Sequence, residues 1–263
     1  VIEFDRTELC MGTAFTLSGR TELSSQELDQ VIAEAWQILH DADLTFSLYK
    51  PHSPLSRLYR GEASLDRLPA VVAEIWDACD EWEVTTEGWF SAMTPEHTFD
   101  PSGLVKTWAA KNACAVLENA GIDDFTMNAG GDVYLSKKLS DQRSGRIAIH
   151  QPISIAEAHS ILTVLDLNNT EFRAVATSGY AERGKHIWNP KASLKAANED
   201  WVQVSVVADD LVRADVWATA AMAAGLRAPE LLNRQANLEA LFVRPMGELA
   251  ATDGLLNLFA KPN

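Results

Sequence analysis

A chain of 263 residues stands near the upper size that one hydrophobic core organises, so a single domain over residues 1–263 is expected. Its 47% hydrophobic and 22% charged residues argue against disorder. A net charge of −15 argues against a nucleic-acid partner or an anionic membrane surface, and an anionic substrate would need local cationic help, a metal being the first choice. Cys10, Cys79 and Cys114 have neither CxxC nor Cys/His spacing, which speaks against a disulfide framework or a zinc site. No run of about 18 apolar residues is present to span a bilayer. The first residues, "VIEFDRTELCMGTAF", carry no charged-then-apolar export segment. A cytoplasmic location is expected, with an exported precursor whose signal has been removed as the alternative.

In chain order, "MGTAFTLSG" (11–19) reads as a strand. Leu28, Val31, Ile32, Ala35, Ile38 and Leu39 then recur at helical spacing, predicting a helix from Ser25 to about Ala42. The stretch "LTFSLYKPHSPLSRLYRGEA" reads as irregular because Pro51 and Pro54 interrupt it. Val71, Val72, Ile75, Trp76, Cys79 and Trp82 predict a second helix within 69–87, and a third runs from near Ser102 to a stop at Gly121. Strand-like runs follow: "DFTMNA", "DVYLS", "GRIAIH", "SILTVLDL", "FRAVATS" and "WVQVSVVA". A long helix, "LVRADVWATAAMAAGL", a short one, "PELLNRQA", and two terminal strands, "EALFVRP" and "LLNLFA", complete the pattern. Helices come mostly first and strands later, which predicts an α+β fold of layered, mostly antiparallel sheets with packed helices.

Four clusters could carry chemistry, and each also has a plain structural reading. In "NAGGDV" (128–133) paired glycines allow close backbone approach to a ligand, but a β-turn bearing an aspartate has the same form. In "ADVWATA", Asp215 and Thr219 lie one helical turn apart on one face, an arrangement that suits hard oxygen ligation of Mg²⁺. The same residues could instead serve the helix dipole and packing. In "FDPSGLVKTWA", Asp100 or Ser102 could cap a helix, while Lys106 lies on an apolar and therefore buried helix and needs an anionic partner. In "AVATSGYAERGKHIWNP", Ser178 and Gly179 offer a hydroxyl and an amide to a phosphate, and His186 is either a base or a surface histidine.

Taken together in order, "MGTAF", "FSLY", "FDPSGLVKTWA", "NAGGD", "ATSG" followed by His186 and "WNP", and "ADVWATA" resemble the ApbE-type flavin transferases. The resemblance runs from about Met11 to Gly225 and implies an ApbE-like, T-fold-related single domain. It implies a Mg²⁺-dependent FAD:protein FMN transferase, with FAD as substrate, a flavin-acceptor protein with a Ser/Thr acceptor motif as partner, and AMP as the other product. By the resemblance, Mg²⁺ is held by Asp215, Thr219 and the Gly103 carbonyl. FAD is contacted by Met11, Tyr49, Trp89, Phe90, Ser91, Asp100 and Lys106, beside Ser178 and Gly179, and His186 is the general base. The alternatives are an FAD pyrophosphatase giving FMN and AMP, and a non-catalytic FAD-binding protein. The chain departs from the family pattern in three places: Thr107 replaces the glycine of its usual Lys-Gly, Asn189 replaces an aspartate, and the Thr-Gly that follows the proline is replaced by Ala192 and Ser193.

Overall fold

In the computed structural model, residues 1–139, 144–152, 160–180, 187–191 and 200–261 are described. The chain begins with a hairpin of β1 (Ile2–Cys10) and β2 (Thr13–Thr21), paired from Ile2↔Thr21 to Cys10↔Thr13. Met11 and Gly12, at φ 52° and 72°, form its two-residue turn; positive φ at both central positions matches the twist of the flanking strands. The sequence pattern starts the first strand at Met11 and misses β1. The reason is its exposure: as an outer strand it buries only Phe4 and Cys10, so no apolar alternation marks it.

α1 (Ser25–Phe46) opens with a capping box in which Ser24 and Glu27 satisfy each other's backbone amides. Its buried stripe of Leu28, Ile32, Ala35, Leu39, Ala42 and Phe46 keeps helical period. The Pro-interrupted stretch that follows is not wholly irregular, because Pro54 is accommodated in the first turn of the short helix α2 (Pro54–Tyr59). Next come α3 (Ala70–Thr85) and α4 (Ser102–Asn119). The strands β3 (Asp124–Ala129), β4 (Asp132–Leu135), β5 (Arg146–His150), β6 (Ile161–Asp166), β7 (Ala174–Gly179) and β8 (Gln203–Ala208) follow. α5 (Leu211–Ala224), α6 (Ala228–Asn233), β9 (Leu238–Val243) and β10 (Leu249–Ala251) close the order. The expected terminal strand "LLNLFA" is instead a 3₁₀ turn, Leu255–Leu258; Leu255 and Leu258, three apart, are its buried residues.

The strands form one antiparallel eight-stranded sheet of order β1-β2-β3-β4-β7-β8-β9-β10 and a separate pair, β5-β6. The α+β expectation of layered antiparallel sheets with packed helices therefore holds. α4 packs between α1 and α5, and α5 lies on β7 and β8. A second apolar cluster, including Ile147, Ile149, Leu165, Val175, Val207 and Leu241, joins the β5-β6 pair to the large sheet. Every residue of β8 is buried, which explains its nearly continuous apolar sequence. β7 and β8 thus lie between two cores, and the ends of β4, β7 and the two central helices meet beside them.

Candidate functional site

α5 is built from small residues. Ala214, Ala218 and Ala221 are fully buried and let the helix approach β7 and β8 closely. Asp210 caps it, its side chain accepting the Arg213 N–H at 3.0 Å. One to two turns in, Asp215 and Thr219 face the neighbouring elements: the Thr219 hydroxyl lies 3.2 Å from that of Ser178 on β7. Asp215 is 5% exposed, and its Oδ2 accepts the Thr107 hydroxyl of α4 at 2.9 Å. A carboxylate this deep persists only with donors or cations around it.

The cation is Lys106. Its Nζ lies 2.5 Å from Asp132 Oδ2 and 4.0 Å from Asp215 Oδ2, so one ammonium stands between two buried carboxylates. Asp132 is fixed by the fold itself. β4 pairs with β7 only at Val133 and Tyr134, and where that ladder stops the Thr177 N–H donates to Asp132 Oδ1 at 2.9 Å. The preceding Gly130 takes φ 63°, and a Cβ there would collide with Thr13, so glycine is required at this turn.

The N-terminus of α4 completes the wall. Asp100, one residue before the N-cap Pro101, accepts the Ser102 N–H at 3.0 Å and also lines the cavity. Gly103 allows a close approach: a Cβ there would meet Phe90 Cε2 at 3.2 Å and Thr219 Cγ2 at 3.9 Å. Phe90 is held by its own amide, which donates to the buried Thr86 hydroxyl at 3.0 Å. Opposite, Ile187 is buried, and the Lys191 ammonium lies 4.3 Å from the centroid of the Trp89 ring. Asn189 Oδ1 accepts the Lys191 N–H at 2.9 Å. An aspartate oxygen would accept the same bond, so the Asn189 departure is compatible with this turn.

These elements enclose a cavity of about 360 Å³, within the range of small-molecule sites. Of the residues expected from the sequence, Trp89, Phe90, Ser91, Asp100, Gly103, Lys106, Ser178, Gly179, Asp215 and Thr219 all line it. Met11 and Tyr49 do not: Met11 forms the β1–β2 turn and packs against the main core, and Tyr49 is 98% exposed. His186 lies outside the described residues. No sequence motif assigns Asp132, Thr107 or Gln203 to the site; Gln203 lines the cavity, while Asp132 and Thr107 stand behind it against Lys106 and Asp215. "NAGGDV" contained the signal for Asp132, but its pairing with Lys106 joins positions far apart in sequence. Gln203, whose Nε2 donates to the His150 carbonyl at 3.0 Å, ties β8 to β5 at the cavity edge.

Among the described residues no group of three or more His, Cys, Asp or Glu side chains is gathered to hold a metal. The Asp215 carboxylate, the Thr219 and Ser178 hydroxyls and the nearby Gly103 backbone are hard oxygen donors with a single carboxylate among them. That set is too lean for an all-protein cage. It fits Mg²⁺, which retains waters and shares its coordination between one or two carboxylates and substrate phosphates. The first turn of α4 borders the cavity at Ser102 and Gly103, so the positive end of its dipole favours an anion there.

A model of the ApbE family matches residues 91–242. The curated "FAD:protein FMN transferase" of Buchnera aphidicola subsp. Baizongia pistaciae is 28% identical over 157 residues, which are 57% of this chain and 44% of that protein. The Salmonella typhimurium protein of the same name is 24% identical over 162 residues, 59% of this chain and 45% of its own length. The matched region therefore spans less than half of these curated relatives. Among solved structures, the flavin transferase ApbE from Vibrio cholerae superposes with a TM-score of 0.79 at 18% identity, covering 98% of this chain and 99% of that one. The Pseudomonas stutzeri flavinyl transferase ApbE, apo form, gives 0.79 at 20% identity, covering 100% and 98%. At these identities the superpositions establish the fold.

Proposed function

The chain belongs to the ApbE family, and we propose that it is a Mg²⁺-dependent FAD:protein FMN transferase that moves FMN from FAD to a Ser or Thr hydroxyl of an acceptor protein and releases AMP. The observation that carries this reading is the convergence, on one cavity, of Lys106, Asp215, Thr219 and the N-terminus of α4. A pyrophosphate resists an incoming nucleophile through its own negative charge, so catalysis depends on groups already aimed at that charge. Lys106 supplies a fixed ammonium, held by Asp132, and the N-terminal end of α4 adds the positive end of its dipole beside the cavity. Mg²⁺, held by Asp215, Thr219 and the Gly103 carbonyl, would supply further neutralisation of the phosphate oxygens.

The acceptor hydroxyl oxygen forms a bond to the FMN phosphorus while the bridging P–O bond breaks and AMP leaves with its electron pair. The hydroxyl proton is assigned to His186, outside the described residues, because an imidazole near pKa ~6.5 can accept it as the bond forms. Trp89 and Phe90 offer aromatic surface to the ring systems of FAD, and Ile187, Trp188 and Pro190 add further lining to the same cavity.

The test is incubation with FAD and Mg²⁺, with and without an acceptor protein carrying a Ser/Thr motif. AMP is quantified, and covalent flavin is read by mass spectrometry and in-gel fluorescence. Acceptor-dependent AMP release with a mass gain of one FMN is expected. Equal AMP with and without acceptor, and no covalent flavin, would make the protein a pyrophosphatase. Flavin bound with no turnover would make it a binding protein.

A further inference from the structure

Thr107 follows Lys106 on α4 and is completely buried. Its hydroxyl has one proton and two acceptors in reach, the Leu104 carbonyl at 3.3 Å and Asp215 Oδ2 at 2.9 Å. The carboxylate is the nearer and the charged acceptor, so the proton goes there. Within a helix a threonine χ1 is confined to few rotamers, and the donor direction is fixed by the backbone of α4 rather than by solvent.

The same Oδ2 lies 4.0 Å from Lys106 Nζ. Two consecutive α4 residues thus address one oxygen of Asp215, on a helix whose next turn carries Thr219. A donor fixed to the backbone of a neighbouring helix restricts the orientation of the carboxylate about its last torsion, so less reorganisation is needed to meet a cation.

Resting on the transferase reading, we propose that Thr107 is a positioning residue whose hydroxyl pins the Asp215 carboxylate and so sets the Mg²⁺ affinity of the site. Partners that orient a ligating group typically contribute about 10- to 100-fold in metal affinity. Thr107→Val keeps the shape and removes the donor, while Thr107→Ser keeps the donor.

Melting temperature is measured against Mg²⁺ concentration at a fixed saturating concentration of ADP, whose phosphates complete the coordination without supplying a transferable flavin, so that Mg²⁺ binding to the folded state appears as a shift. AMP release is measured against Mg²⁺ in parallel. Thr107→Val is expected to raise the Mg²⁺ midpoint about 10- to 100-fold in both, with turnover recovering at saturating Mg²⁺. Thr107→Ser is expected to stay close to the unsubstituted protein. If Val proves too disruptive to fold, Thr107→Ala removes the same donor without adding a methyl beside the carboxylate. A donor-lacking variant with an unsubstituted midpoint, or Ser and Val shifted alike, overturns the inference and leaves the transferase reading intact. Flavin transfer without any Mg²⁺ shift in the unsubstituted protein also overturns it. Absence of both transfer and shift overturns the two readings together.

Discussion

Two clusters in this molecule use similar groups to different ends. Around the cavity, Lys106, Asp132, Asp215 and Thr107 connect α4, β4 and α5, with Asp132 and Asp215 side chains 2% and 8% exposed. Between the outer strand β1 and α1, Glu8 and His40 pair at 2.9 Å, and His40 Nδ1 lies 3.7 Å from Cys10 Sγ. Listed by residue type, an acid, an imidazole and a thiol look more like a catalytic set than a lysine between two acids. Yet none of the three borders the cavity, and the Glu8–His40 pair is partly open to water, with side chains 29% and 43% exposed. Burial pushes the Cys10 thiol up from its ordinary pKa, with Asp43 adding to the shift, so the nucleophilic thiolate is disfavoured. Composition of a cluster therefore says less than its burial and its opening toward a ligand-sized space.

The strongest way to break this comparison is Asp215→Ala. It is expected to lower Mg²⁺-dependent AMP release by about a hundredfold or more, because it removes a ligand of the cation that would offset the phosphate charge. Rates within a few-fold of the unsubstituted protein would remove Asp215 from the chemistry. Next in size is Lys106→Met, which leaves Asp132 buried without its cation. A loss of about 3–5 kcal/mol in urea unfolding is expected. Adding Asp132→Asn should recover much of that loss, and failure of the second substitution to do so would mean the pair contributes packing rather than charge compensation.

The smallest effect is expected on the outer cluster. His40→Ala should cost no more than about 1 kcal/mol, the range of exposed ion pairs, and leave flavin transfer unchanged. In the same protein Cys10 should alkylate more slowly than a free thiol at pH 8, because a raised pKa leaves less thiolate at any given pH. The rate should rise only as the pH increases further, or on unfolding. Cys79, whose pKa burial pushes up to about 12, should be silent in the folded state and serve as the internal control. Rapid, His40-dependent alkylation of Cys10 would instead show a thiolate–imidazolium pair and make the two clusters alike.

Much of the cavity wall was legible because its residues sit in local motifs. The i, i+4 spacing of Asp215 and Thr219, the glycines before Asp132 and the apolar helix around Lys106 each state a local constraint that survives folding. What a local pattern could not supply was partnership. Lys106 needed an anion, but Asp132 and Asp215 were two of many candidates, and the choice depends on β4 ending beside β7. Thr107 read as the loss of a glycine; in the fold it is a donor to Asp215, 108 positions along the chain. Tyr49 lay within a matched motif and is nevertheless fully in solvent. β1 and the last 3₁₀ turn were missed or misassigned because an outer strand needs no alternation and two leucines three apart fit more than one geometry.

By itself the sequence determined the α+β class, the starts of α1 and α4, and the net acidic charge. These follow from short-range sterics and hydrophobic period, which act within a few residues. Only the tertiary structure decided which carboxylate meets the lysine, which hydroxyl reaches Asp215, and which residues line the cavity. Those pairings depend on where strands stop and how closely alanine-lined helices approach the sheet, and no stretch of sequence carries that information alone.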